Sequence, residues 1–503
     1  MEVMESITTP DDKKLNRYSA ACCLIASVIS ILLGYDTGVM SGATLFIKQD
    51  LHITDTQIEI LNGILNLCAL VGSTVAGKTS DVIGRRYTIV LASVIFFTGA
   101  LLMGLSDSYA ILMTGRCVAG VGVGFALMIA PVYSAEISSA SNRGSLTSLP
   151  EVCISFGILL GYISNYGFSK LPLKYGWRVM LGLGSIPAIG LALGIVLTMP
   201  ESPRWLVMHG KIRAARSVLQ KISDSPDESD VRLREIMLAA GFNEQDSLDH
   251  DQPNVSLKSK DNSKGVLKEL LLKPSPAIRS ILLAALGIHF FEHVTGIEAV
   301  VLYSPRIFMK SGIVSKSKLL LATMGVGVTK IVFILIATFN LDRVGRRPLL
   351  LSSVAGMVVS LCGLGMALTV VDNSNERVPW AVIASISFVM SYVAFFSIGL
   401  GPITWVYSSE IFPSRLRAQG MGLAVAMNRV MNATVSMSFV SLYQAITIGG
   451  SFFLFAGIGV LAWLFFYFFL PETKGRSLEE MEELFTKRDR GSGPLKLVNK
   501  VQL

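Results

Sequence analysis

The sequence predicts an all-α membrane protein of twelve transmembrane helices in two related halves. Two observations carry that prediction. The chain of 503 residues is 51% hydrophobic and only 16% charged, with a mean hydropathy of +0.56. Its apolar residues gather into long runs split by short polar loops, the pattern of helices that cross a hydrocarbon core about 30 Å thick. Motifs also recur at nearly constant offsets. Asp81-Val82-Ile83-Gly84-Arg85-Arg86 returns 261 residues later as Asp342-Arg343-Val344-Gly345-Arg346-Arg347. Glu136 stands seven residues before Arg143, and Glu410 seven before Arg417, an offset of 274. Pro200-Glu201-Ser202 is echoed 271 residues on by Pro471-Glu472-Thr473. Duplication in so apolar a chain is the mark of repeat-built transporters. A soluble helical bundle is excluded, since its helices would need polar faces that these runs lack.

The apolar runs lie near 18–40, 58–79, 87–106, 110–133, 148–168 and 178–199, then 278–302, 317–340, 348–371, 379–407, 419–443 and 449–470. The polar segment 1–17 precedes the first of them. That run lacks a small-residue cleavage site and reads as a retained helix, not a signal peptide. The expected organisation is therefore a first six-helix unit at 18–200, a hydrophilic linker at 201–277, a second unit at 278–470 and a tail at 471–503. In the linker, Pro203 to Ile222 has helical periodicity, whereas Ser223 to Ser263, rich in Ser, Asp, Asn and Lys, reads as a mobile connection. The tail carries a short amphipathic helix from Leu478 to Phe485.

An even number of passes puts both termini on one side. With that side cytoplasmic, the N-terminal segment and short inner loops hold twelve Lys and Arg against nine in the outer loops, which favours a cytoplasmic N-terminus. All six cysteines fall inside apolar runs, without disulfide or metal spacing, and are expected to be packing residues. The net charge of +8 is spread over both sides and does not point to nucleic acid. No nucleophile–base set, metal cluster or nucleotide loop is present, so an enzyme is not expected. The glycines after Arg116 suit close helix packing. Two sequons, at Asn254 and Asn432, fall in the inner linker and a helix and are expected to go unused.

An ionisable side chain in hydrocarbon costs roughly 2.5–3.5 kcal/mol on insertion scales, so each one needs a reason. Asp36 lies in the first run and Arg116 opens the fourth. They can pair across one half. The arginine lowers the acid's pKa while desolvation raises it, and a carboxylate balanced between the two can bind and release a proton. The alternative is a static ion pair. The seventh run holds His289, Glu292, His293 and Glu298, with Gly296 as a point where it can unwind. Lys330 interrupts the eighth run, Asn428 and Arg429 the eleventh, and Trp405 follows Gly401-Pro402, a break in the tenth. Two acids and two bases on these helices can neutralise one another around a wet cavity whose carboxylates accept bonds from hydroxyls. Packing salt bridges are the rival. At the inner helix ends, Asp81, Arg85, Arg86, Glu136 and Arg143, repeated as Asp342, Arg346, Arg347, Glu410 and Arg417, are expected to form a cytoplasmic gate. A purely topological role for the arginines is the rival there.

Together these residues resemble the sugar porter family of the major facilitator superfamily. The resemblance runs from the Asp36 helix through both Gly-Arg-Arg loops, Pro200-Glu201-Ser202-Pro203-Arg204-Trp205-Leu206 and Gly401-Pro402-Ile403-Thr404-Trp405 to Pro471-Glu472-Thr473-Lys474-Gly475. It implies the major facilitator fold, two pseudo-symmetric six-helix bundles with a hexose-like ligand between them. Many sugar porters carry Gln-Gln at Glu292-His293, Asn at Glu298 and at Lys330, Gln at Asn428, and a polar amide where this chain has Ile158. The run from Phe290 to Pro305 is similar to that of plant polyol/monosaccharide transporters. That resemblance implies proton symport of linear polyols, cyclitols and some monosaccharides at the plasma membrane, with the proton as coupling ion and no other cofactor. It places Glu292, His293, Glu298, Asn428, Trp405 and Ile158 around the substrate, joined by Lys330 and Arg429, and the proton at Asp36 and Arg116. The expected partners are the polyol or sugar, protons and the bilayer, with a monomer as the working unit. A downhill facilitator and a non-transporting sugar sensor are the alternatives.

Overall fold

The computed structural model describes residues 16–138, 143–223, 225–239, 274–374, 378–413 and 416–474. The segment 1–15, most of the linker beyond 239 including Asn254, the Leu478–Phe485 segment, and the side chains of Arg143 and Asp342 lie outside the described residues. The first half comprises α1 (Arg17–Leu51), α2 (Asp55–Ile83), α3 (Arg85–Gly104), α4 (Tyr109–Ile137), α5 (Arg143–Phe168), α6 (Leu173–Gly182) and α7 (Ser185–Thr198). Three short helices follow: α8 (Pro203–Met208), α9 (Ile212–Ile222) and α10 (Pro226–Ala239). The second half comprises α11 (Pro276–Val294), α12 (Ile297–Lys310), α13 (Lys316–Val344), α14 (Arg346–Asn373), α15 (Pro379–Ile398), α16 (Leu400–Ile411), α17 (Arg417–Ile446) and α18 (Ile448–Phe469). α6 with α7, α11 with α12, and α15 with α16 each make one broken pass, so each half crosses six times. Eleven stretches of the described residues are long and apolar enough to span a membrane. The twelfth pass, α17, has the length at 30 residues but carries Asn428, Arg429 and Asn432.

The breaks have local causes. Gly296 adopts φ +97°, a left-handed conformation that only glycine enters without strain, and it ends α11 and starts α12. This is the unwinding the sequence suggested. In the tenth pass the break falls at Gly399, two residues before Gly401. Gly401 and Pro402 occupy the first turn of α16, where a proline's missing N–H costs nothing. The connection from 223 onward also departs from expectation, because residues 226–239 form α10. Ser225 caps it by accepting from the Glu228 N–H at 3.1 Å, Pro226 sits at its first position, and Asp227 and Glu228 fill the first turn. That Ser-Pro-Asp-Glu start signal outweighs the polar composition.

α1 and α5 approach with their backbones in contact. A Cβ on Gly34 would lie 1.9 Å from the Ile154 carbonyl oxygen, and one on Gly157 would lie 2.2 Å from that of Ile31. Small residues allow such approach where lipid provides no hydrophobic drive for helix association. Gly34→Leu is expected to abolish most monodisperse protein in detergent, read by fluorescence-detected size exclusion. Gly194→Leu, on α7 with open space around it, is expected to keep full yield. Equal yields would show that the α1–α5 contact is dispensable.

The halves meet through α2 and α17, α5 and α13, and α1 and α12. Twelve passes return the chain to the face where it starts, here the near face. Across the far face, Asp55 accepts from Arg306 at 3.1 Å and Asn62 donates to the Tyr303 hydroxyl at 3.2 Å. Glu59 accepts from the N–H groups of Val440 and Ser441 at 2.9 and 3.0 Å and from the Ser441 hydroxyl at 2.7 Å. Each of these bonds joins one half to the other, so the far side is closed over the cavity beneath it.

Candidate functional site

The cavity lies at mid-depth between the halves. Leu33 and Thr37 of α1 line it, with Glu151, Ile154 and Ile158 of α5, Glu292 and His293 of α11, and Ile297, Glu298 and Val301 of α12. Lys330, Phe396, Trp405 and Arg429 complete the wall. Its volume of about 40 Å³ holds a few waters.

The site's charges are arranged by the helix breaks. Because α11 ends at Val294 and α12 restarts at Ile297, Glu292 and Glu298 reach one cavity despite an angular separation of about 240° on a continuous helix. Glu292 accepts from the Asn428 amide at 2.6 Å, and Glu298 from the Asn432 amide at 2.7 Å. His293 stands between them, its Nε2 3.9 Å from Glu292 and its Nδ1 3.4 Å from Glu298. Neither of its ring nitrogens makes a hydrogen bond, nor does Nε1 of Trp405. Buried polar atoms left without a partner are costly, so these three mark the cavity wall as incomplete on its own. Arg429 donates to Asn66 at 3.1 Å and to the Asn428 carbonyl at 2.9 Å. Ile154, Ile158, Ile297 and Val301 supply the apolar part of the wall.

Sequence reasoning missed three groups here. Glu151 pairs with Lys330 at 3.4 Å across the two halves, with both side chains less than a tenth exposed. It lies inside the fifth apolar run, and its partner on the eighth, in the other half, leaves no mark in the local sequence. Asn66 and Asn432 are neutral, so the search for intramembrane charge passed over them; Asn432, noted only as a sequon, is buried against Glu298.

Asp36 and Arg116 are brought together. Arg116 donates to the Asp36 carboxylate at 2.5 Å, both side chains are 3% exposed, and the arginine also holds the Leu61 carbonyl at 3.1 Å. Asp36 is next in sequence to Thr37 on the cavity wall.

At the near face the two motif copies build the same device. Arg85 bonds Asp81 and Glu136 at 3.2 Å, and Glu136 also accepts from the Ser202 hydroxyl. Glu201 accepts the Arg85 and Arg86 N–H groups at 2.8 and 3.2 Å, an acid capping the start of α3. Burial pushes its pKa up, against the pull of those N–H groups. In the second half, Arg346 bonds Glu410 at 2.8 Å, the Thr473 hydroxyl donates to Glu410 at 2.9 Å, and Glu472 caps α14 through the Arg346 and Arg347 N–H groups at 3.0 and 2.9 Å. Arg86 and Arg347 reach the carbonyls of Val196 and Tyr467, and Arg417 that of Phe412 at 3.1 Å. These bonds tie helices within one half. The repeated Pro-Glu-Ser/Thr motif thus supplies a cap and a hydroxyl, roles that sequence analysis left unassigned.

Known proteins match this arrangement along nearly the whole chain. The family model described as sugar (and other) transporter matches residues 22–485. Polyol transporter 5 of Arabidopsis thaliana is 58% identical over 495 residues, covering 98% of this chain and 91% of that one. The proton:xylose symporter XylE of the major facilitator superfamily, bound to 6-bromo-6-deoxy-D-glucose, superposes with a TM-score of 0.79 at 27% identity, covering 93% of this chain and 99% of that one. The inward-open form of the E. coli xylose transporter XylE gives 0.70, with the same identity and shares. Two six-helix halves, a polar cavity between them and these matches place the chain in the sugar transporter family of the major facilitator superfamily, and it is a transporter, not an enzyme.

Proposed function

We propose that this protein is a proton-coupled symporter that imports polyols, linear or cyclic, and some monosaccharides across the plasma membrane by alternating access. The observation that carries the reading is the buried Asp36–Arg116 pair beside a cavity between the halves lined with unpartnered hydrogen-bonding groups. The near face is the cytoplasm in this reading, and a monomer suffices because each half contributes to one site. The relative named as a polyol transporter supports the substrate class, and the neighbour named as a proton:xylose symporter supports the coupling. An external proton neutralises Asp36 and loosens Arg116. Substrate hydroxyls then meet Glu292, Glu298, His293, Asn428 and Trp405, while Lys330 and Arg429 balance the carboxylates and Ile158 packs against carbon. The halves rock, the near-face clusters around Arg85 and Arg346, with Arg143 and Asp342 in the same motifs, rearrange as the cytoplasmic gate, and both ligands leave inward.

The test is electrophysiology in oocytes expressing the full chain, presented with sorbitol, mannitol, inositol, xylitol and glucose at acidic and neutral external pH. Inward currents that grow as external pH falls are the expected result. Tracer uptake without current or pH dependence would make the protein a facilitator, and surface protein with neither would make it a sensor.

A further inference from the structure

The central cavity holds more negative charge than it can neutralise. Three carboxylates face it, those of Glu151, Glu292 and Glu298, against two cations, Lys330 and Arg429. Lys330 is taken by Glu151 at 3.4 Å. Arg429 is bonded to Asn66 and Asn428, and among the described residues no Lys or Arg nitrogen lies within 4.0 Å of Glu292 or Glu298. The remaining titratable neighbours do not fill the gap. His289 accompanies Glu292 at 3.5 Å and is fully buried, and the phenols of Tyr162 and Tyr392 are committed to the carbonyls of Val301 and Thr295. Glu292 is buried and the Glu298 side chain is 17% exposed, so two carboxylates without a bonded cation are largely withdrawn from water, at an energetic cost that is greater for Glu292. One proton between them removes one of those charges, as in any carboxylate pair that shares a site. The geometry supplies the carrier: His293, with both nitrogens free of hydrogen bonds, faces Glu292 through Nε2 and Glu298 through Nδ1.

We propose that Glu292, His293 and Glu298 form a second proton site, at which a transported proton is shared between the two carboxylates across the imidazole. The inference rests on the proton-symport reading and adds to it a second coupled proton, distinct from the one at Asp36. A proton from the outer solution forms an O–H bond on one carboxylate. The neutral imidazole accepts a hydrogen bond from that acid and donates its own N–H to the other carboxylate. When the cavity opens inward, the O–H bond breaks and the proton passes to cytoplasmic water. Polyol hydroxyls bind to the same carboxylates, so proton and substrate load one cavity together.

The number of charges moved per substrate decides the matter. For the best substrate of the panel, a tenfold change in its external concentration shifts the reversal potential by about 30 mV if two protons move and by about 59 mV if one does. The wild type is expected to give the smaller shift. The double variant Glu292→Gln with Glu298→Asn, amides of the kind the resemblance associates with these positions, is expected to give the larger one. A shift of about 59 mV in the wild type overturns the second site while leaving symport intact. A shift of about 30 mV in both proteins places the second proton elsewhere and also overturns it. Absence of any current overturns the symport reading and this inference with it. If the double variant carries no current, infrared spectra of the purified full chain decide: the protonated-carboxyl C=O band of the wild type, shifted by deuterium, is expected to vanish in the variant. Its persistence overturns the assignment.

Discussion

Asp36→Asn is expected to remove one charge's worth of driving force from accumulation. One elementary charge crossing 100 mV is worth about 2.3 kcal/mol. At about 1.4 kcal/mol per decade, that is about a 40-fold lower steady-state ratio of internal to external substrate. Asparagine keeps the shape of the aspartate but can neither bind nor release the proton, so it fixes the state in which Arg116 is unpaired. Arg116 stays anchored through the Leu61 carbonyl, and substrate exchange, which needs no net proton movement, is expected to survive. The measurement is tracer accumulation and counterflow in proteoliposomes under an imposed potential, normalised to reconstituted protein. Accumulation lowered by about that factor, with counterflow retained, assigns coupling to Asp36. Unchanged accumulation would make the Asp36–Arg116 pair a structural fastening.

The fold was legible because its signals are coarse. Length and apolarity mark passes, and the offsets between motif copies mark the halves. The break at Gly296 was legible too: Glu292 and Glu298 belong on different sides of a straight helix, and the left-handed turn there brings them to one cavity. What escaped depends on contacts between elements distant in sequence. Glu151 lies within the fifth apolar run, but only the packing of α5 against α13 shows that it meets Lys330 of the other half. The far-face closure was illegible for a different reason. Glu59 bonds backbone N–H groups of α17, and a backbone partner leaves no residue-type signature. α10 was legible in principle, since Ser225 through Glu228 spell a helix start, but a compositional reading averages such a signal away.

The Glu151–Lys330 pair should behave as an all-or-none unit. Both side chains are less than a tenth exposed, and Nζ also lies 5.8 Å from the centroid of the Phe396 ring, which favours the cation. Lys330→Met strands Glu151 as a buried anion, and Glu151→Gln strands the lysine; breaking a buried pair from either side costs about 3–5 kcal/mol. Removing both charges together removes the stranded charge as well, so the double variant is expected to recover most of the stability that each single variant loses. The pair spans the two halves, so its strength acts on the closed protein alone. The single variants should therefore also favour states in which water reaches the cavity, and a cysteine placed at Thr37 should label faster in them than in the same background without the charge change. Unfolding of the four purified proteins forms a double-mutant cycle, and single losses of that size that are mostly recovered in the double variant imply a coupling of about 4 kcal/mol or more. Effects that add to within about 0.5 kcal/mol would mean that Glu151 and Lys330 do not sense each other, leaving the lysine to answer to Glu292 and Glu298.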